Sequence, residues 1–200
     1  MEKNRPIVVL GMARSGTSLV AGSLHVNGIW FYPHYPRKQN PKGDYVNPEI
    51  NKILNKGNNK KKRILEAIYN QGYKDGFWGC KHDINLGLIN IWNKTFSPVY
   101  VLVRRSPEDI WTSTLKMRVV KKQAISTEAA KKIIPYNRFL KQWQTKTKYL
   151  DKLNGFNIWP QKIIDGDFSE LKDCLDFFGL ELSEQKVNGF ILKDSWHGGK

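Results

Sequence analysis

An unbroken apolar run, Ile7-Val8-Val9-Leu10, stands near the start of the chain. Such a run suits a short strand buried on both faces. Soon afterwards the period changes: Leu19, Val20, Leu24 and Val26 fall on one side of a helix that begins at Thr17 and closes at Gly28. A second run, SPVYVLV over residues 97–103, predicts another buried strand; residues 77–81 and 159–164 predict two more. Helical spacing recurs between them. Asn47-Pro48-Glu49 combine an N-cap, a first-turn proline and a dipole-complementing acid, and Ile50, Ile53 and Leu54 continue that helix to Gly57. Residues 63–71 predict a helix with Ile64, Leu65, Ile68 and Tyr69 on its buried side, and residues 84–92 another. Ser106-Pro107-Glu108-Asp109 begins the next with a capping box and proline at its first position. Residues 127–153 predict a basic amphipathic region, broken near Pro135; residues 169–178, ended by Gly179, and 183–190 predict two last helices. The stretch from residue 29 to 47, with Pro33, Pro36 and Pro41, has no period and reads as a long loop. Strands alternating with helices imply an α/β fold with a parallel sheet covered on both faces, in one domain over residues 1–200.

Composition sharpens this picture in three respects. Hydrophobic residues at 40% and aromatics at 12% exclude a disordered chain. No run reaches the roughly 18 apolar residues of a membrane span, and none resembles a signal peptide, so the expectation is a soluble, cytoplasmic protein. Cys80 and Cys174 lie far apart without metal-ligand spacing and read as buried thiols. The net charge of +15 points to an anionic partner, which nucleic acid, an acidic membrane, an acidic polymer or a charged nucleotide would all satisfy. A general abundance of Lys and Asn is the other source of that excess. The run Lys60-Lys61-Lys62-Arg63 reads as a solvated loop or helix start.

Candidate chemistry begins where the first strand meets the first helix. Residues 11–16 bring two glycines, Arg14 and Ser15 into a tight turn, and such a turn aims backbone N–H groups and a helix dipole at one spot suited to a phosphate. The spacing is that of a P-loop, except that Thr17 stands where the lysine belongs; Ser18 fills the hydroxyl position. The missing ammonium matters, because it neutralises the β/γ-phosphates of a nucleoside triphosphate.

The variant G-M-A-R-S-G-T-S after an apolar strand resembles the 5′-phosphosulfate loop of sulfotransferases, which use 3′-phosphoadenosine 5′-phosphosulfate (PAPS) and share the P-loop kinase fold. The resemblance implies a three-layer P-loop NTPase-like fold, a short central parallel sheet flanked by helices. It also implies donor contacts from Ala13, Arg14, Ser15, Gly16, Thr17 and Ser18. A second match follows residues 97–103. In sulfotransferases that strand ends in an arginine, and a serine eight residues on helps it grip the 3′-phosphate; Arg105 and Ser113 have that separation. A guanidinium fork, a hydroxyl and a helix N-terminus together favour a dianionic phosphate. Many P-loop NTPases carry a metal-binding aspartate at this tip, where two arginines would repel Mg²⁺. No metal is expected.

Asn40-Pro41-Lys42-Gly43 resembles the N-P-K-G-Y-[FW]-E loop of the bacterial and viral branch, and Phe77 to Lys81 its W-x-K-D-P segment. The likeness covers residues 7 to 115 in patches. Departures are clear: Val46 replaces the loop's usual glutamate, Lys81-His82-Asp83 displaces the aspartate by one, and Leu19 stands where many animal relatives stack adenine on tryptophan.

The implied reaction moves a sulfonyl group to a hydroxyl or amine of an unidentified acceptor, leaving 3′-phosphoadenosine 5′-phosphate (PAP). Arg14, the turn and Lys81 are the candidate stabilisers of the departing charge. Arg14→Ala is expected to slow transfer, and Arg105→Ala to weaken nucleotide binding. His82 and Asp83 lead the candidates for the base; Asp44, Glu49 and His34 are the others. His25 and His197 read as structural. Two rival classes stay open at this point: a P-loop kinase for a small metabolite, and a basic nucleic-acid-binding protein, for which no reading motif is evident.

Overall fold

The computed structural model describes residues 5–32, 43–56 and 58–191. In chain order the elements are β1 (Ile7–Gly11), α1 (Thr17–Val26), β2 (Trp30–Phe31), α2 (Pro48–Asn55), α3 (Lys60–Asn70), β3 (Trp78–Asp83), α4 (Leu86–Thr95) and β4 (Val99–Val103). There follow α5 (Pro107–Val120), α6 (Thr127–Ile133), α7 (Tyr136–Leu150), β5 (Gly155–Ile158), α8 (Pro160–Asp165), α9 (Ser169–Phe177) and α10 (Glu184–Phe190). The five strands form one parallel sheet in the order β2-β3-β1-β4-β5. β1 lies in the middle, so the turn that follows it sits over the centre of the sheet.

Side chains alternate across a strand, and here the alternation divides two apolar layers. Val8, Leu10, Trp78, Cys80, Tyr100 and Leu102 face one way, against α2, α3, α4, α5 and α7. Ile7, Val9, Val99 and Val101 face the other, against α1, α8, α9 and α10. The result is the expected three-layer α/β arrangement. Cys80 and Cys174 are both buried free thiols.

Local starts follow the sequence where capping chemistry is strong. Asn47 accepts from the N–H groups of Glu49 and Ile50, and Ser106 from that of Asp109. Pro135 separates α6 from α7. Lys60 to Arg63 form the first turn of α3, which therefore begins earlier than expected. α4 begins at Leu86, capped by Asn85, and runs to Thr95, later than the predicted 84–92.

Three expectations are corrected. Residues 159–164 are not a strand: Pro160 lacks an N–H for a ladder and instead opens α8, while the last strand is Gly155–Ile158. Its alternation is weak because only Ile158 is fully buried. The long loop after Gly28 contains β2, two residues paired with β3 through Trp30 and Phe31, too short to show a period. Tyr69 is 51% exposed rather than buried, lying beside Tyr73 on the rim of α3. His34, residues 40–42 and His197 lie outside the described residues.

Candidate active site

The turn between β1 and α1 is shaped by two glycines. At Gly11 a Cβ would lie 2.6 Å from both Ser15 Oγ and Thr17 Cγ2, so only glycine lets the turn fold back over the strand end. Gly16 has φ 97°, in the left-handed region that glycine enters freely, and it offers α1 no side-chain cap. The first-turn N–H groups of α1 are thereby left for another acceptor. Ser15 N–H donates to Met12 O at 3.0 Å, closing the turn. The Ser15 hydroxyl is buried and has no partner. Ala13 stands exposed at the tip.

Arg14 also adopts a positive φ, 71°, which an arginine holds only at a cost of about 1 kcal/mol. Its side chain crosses from β1 to the β4 side, where Nε donates to Ser113 Oγ at 3.1 Å. Arg105, at the tip of β4, donates from Nη1 to the Arg14 carbonyl at 2.8 Å. Arg105 and Ser113 are both buried. Burial lowers the pKa of each arginine, and for Arg105 the nearby Asp109 opposes that shift while the charge of Arg14 adds to it. One buried and one half-buried guanidinium and a hydroxyl thus converge on the strand-to-helix turn, an arrangement that welcomes a multiply charged anion.

The strain at Arg14 carries its own expectation. Arg14→Gly should be more stable than Arg14→Ala by about 1 kcal/mol in urea unfolding, because glycine meets the positive φ without strain. Equal stability of the two would show that the turn relaxes instead.

On the other side of β1, the parallel pairing sets Val9 opposite Lys81 and Gly11 opposite Asp83. Lys81 is buried, and its Nζ donates to Ser18 Oγ at 2.9 Å. Position 17 carries no ammonium, but one reaches the start of α1 across space from β3. Strand alternation puts Asp83 on the same face as Lys81, and it is exposed at the strand tip.

His82 points the opposite way. It is packed against Trp92, with ring centres 5.7 Å apart, and its Nε2 is buried without a partner. Burial, helped by the charge of Lys81, pushes its pKa down to about 4. The structure thus separates His82 from the turn that it brings Lys81 and Asp83 to. The remaining acids are engaged locally: Glu49 accepts from Gln71 Nε2 at 2.8 Å, and Asp44 accepts from the Val46 N–H at 3.4 Å. His25 Nδ1 lies 3.2 Å from Ile29 O, at the end of its own helix.

A cavity of about 630 Å³ opens beside Ser15 and Arg105, between the tips of β4 and β5 and helix α7. Its walls include Trp143, Thr147, Lys148 and Trp159. Sequence reasoning missed these residues. A cluster of tryptophans around an acid-free helix was the available signal, but Trp159 was absorbed into a strand that does not exist. Among the described residues no group of three His, Cys, Asp or Glu side chains is placed to hold a metal ion.

The five-stranded parallel sheet, its flanking helices and this P-loop-like turn make up a sulfotransferase-like fold. No protein-family model and no curated protein matches the chain. Among solved structures it is similar to the crystal structure of sulfotransferase STF1 from Mycobacterium tuberculosis H37Rv (type1 form). The two share 14% identity with a TM-score of 0.50, over 93% of this chain and 70% of that one. At that identity the likeness is one of fold.

Proposed function

We propose that this protein is a PAPS-dependent sulfotransferase, transferring a sulfonyl group to a hydroxyl or amine. The observation that carries the proposal is the joining of Arg14, Arg105 and Ser113 on one side of the turn, with Lys81 on Ser18 at the other. Two cationic grips flank a single helix N-terminus, one for each phosphorylated end of one nucleotide. The orphaned Ser15 hydroxyl supplies a further contact within reach of the same anion. PAPS, when bound, supplies the sulfonyl group.

In this reading Arg105 takes the 3′-phosphate end, as the sulfotransferase resemblance implies, and Lys81, on the opposite side of β1, takes the reacting end. Arg14, turned toward Ser113, shares the 3′-phosphate grip instead of chiefly serving transfer. Lys81 and the first-turn N–H groups of α1 stabilise charge on the departing oxygen. Asp83, exposed at the tip of β3, takes the proton of the acceptor. The cavity by Trp143 and Trp159 lies beyond Arg105 from Lys81, and there it accepts the nucleoside, whose purine ring aromatic side chains can cover.

Thermal shift tests the reading. PAP without Mg²⁺ should stabilise the protein, and Mg·ATP should not; the reverse would favour a small-metabolite kinase. At a hundredfold excess over Kd the gain is about 2.7 kcal/mol. Arg105→Ala should weaken PAP binding by roughly 2 kcal/mol, about thirtyfold, since it deletes a charge-assisted bond in a dry setting. Unchanged affinity would remove the 3′-phosphate grip from the proposal.

A further inference from the structure

We infer that the tip joining α5 to α6 docks the protein onto an anionic lipid bilayer. Two large aliphatic side chains stand out in water at this tip, Val120 at 61% and Ile125 at 96% exposure, and Ile133 at the far end of α6 is 48% exposed. Scattered exposed aliphatics are ordinary, but a cluster of them marks a contact surface. The tip is a built structure rather than a loose loop. Lys121, Lys122 and Gln123 donate their N–H groups back to Met117, Val119 and Arg118 at 2.8 to 2.9 Å. Ser126 then caps α6 by accepting from the Ala129 N–H at 3.1 Å. Ile125 is thus held outward between two finished helix ends.

The charges around these side chains select the partner. Residues 110–135 contain Lys116, Arg118, Lys121, Lys122, Lys131 and Lys132, against one acid, Glu128, which pairs with Lys131 at 2.8 Å. Basic side chains beside protruding aliphatics match an interface of anionic headgroups over hydrocarbon. A soluble polyanion would use the cations and leave Ile125 in water. A second copy of the chain would bring six like cations against six. Helix α5 carries both this tip and Ser113, seven residues and about 10 Å before Val120, so docking would fix the site's height above the surface.

Sedimentation with vesicles tests the inference without reading any sulfonyl transfer, so its outcome is independent of the proposed activity. The full chain should pellet with phosphatidylcholine vesicles carrying phosphatidylserine and stay in solution with phosphatidylcholine alone. Lys121→Gln with Lys122→Gln should lower the partition about 25-fold, at about fivefold per cation near an anionic surface. Val120→Ser with Ile125→Ser should lower it by a similar factor, with unchanged thermal unfolding because both side chains are exposed. Equal binding by that aliphatic variant, no binding to either vesicle, or a dimer that the same variant abolishes would each overturn the inference.

Discussion

Lys81→Ala is expected to slow sulfonyl transfer by two to three orders of magnitude, about 3 to 4 kcal/mol of transition-state stabilisation. Lys81 is the cation that strand pairing brings to Ser18, on the side of β1 away from Arg105. If Lys81 serves the reacting end as proposed, its charge acts where negative charge develops, and PAP affinity should change far less than it does in Arg105→Ala. The acceptor is not needed for the measurement. Single-turnover release of PAP from PAPS, with water accepting the sulfonyl group, reads the same stabilisation. Lys81→Arg should not restore the rate, since a planar fork does not replace a compact ammonium at a buried hydroxyl. A Lys81→Ala protein that turns over normally, or that loses PAP affinity as fully as Arg105→Ala, would remove Lys81 from the reacting end.

The second large effect is on stability against pH. His82 has an ordinary pKa of 6.5 when unfolded and one pushed down to about 4 in the fold. Between those values the unfolded chain binds a proton that the folded chain does not, so stability falls as pH drops through that window. The full loss is about 3 kcal/mol once pH lies below both values. His82→Leu removes the proton and keeps an apolar side chain against Trp92. Urea unfolding at pH 7 and pH 4 should therefore show a smaller acid loss in the variant, by about 3 kcal/mol. Parallel pH profiles in the two proteins would place the acid sensitivity elsewhere. This outcome also bears on the site: a histidine so buried, on the face away from the turn, is part of the core around Trp92.

Much of this protein was legible before folding was considered. The five consecutive buried residues of β1 and of β4 read as strands because burial on both faces demands an unbroken apolar run. Asn47 and Ser106 marked helix starts because a cap is a contact between near neighbours in the chain. Gly11, Gly16 and the residues between them announced the tight turn between β1 and α1 for the same local reason. β2 and β5 were not legible: two residues carry no period, and a strand at the sheet edge with only Ile158 fully buried shows little alternation.

The chain by itself determined which side chains were available for chemistry: Arg14, Lys81, Asp83, Arg105 and Ser113. Only the tertiary structure decided which of them meet. Arg14 and Ser113 are 99 residues apart and Lys81 and Ser18 are 63 apart; β1 pairing with β4 and with β3 brings each pair within hydrogen-bond reach. The same pairing chose between adjacent candidates, since a one-residue change of register would have turned His82 toward the turn and Lys81 into the core. Capping and turn preferences act over a few residues of chain, whereas strand register is settled by how all five strands bury their apolar faces at once.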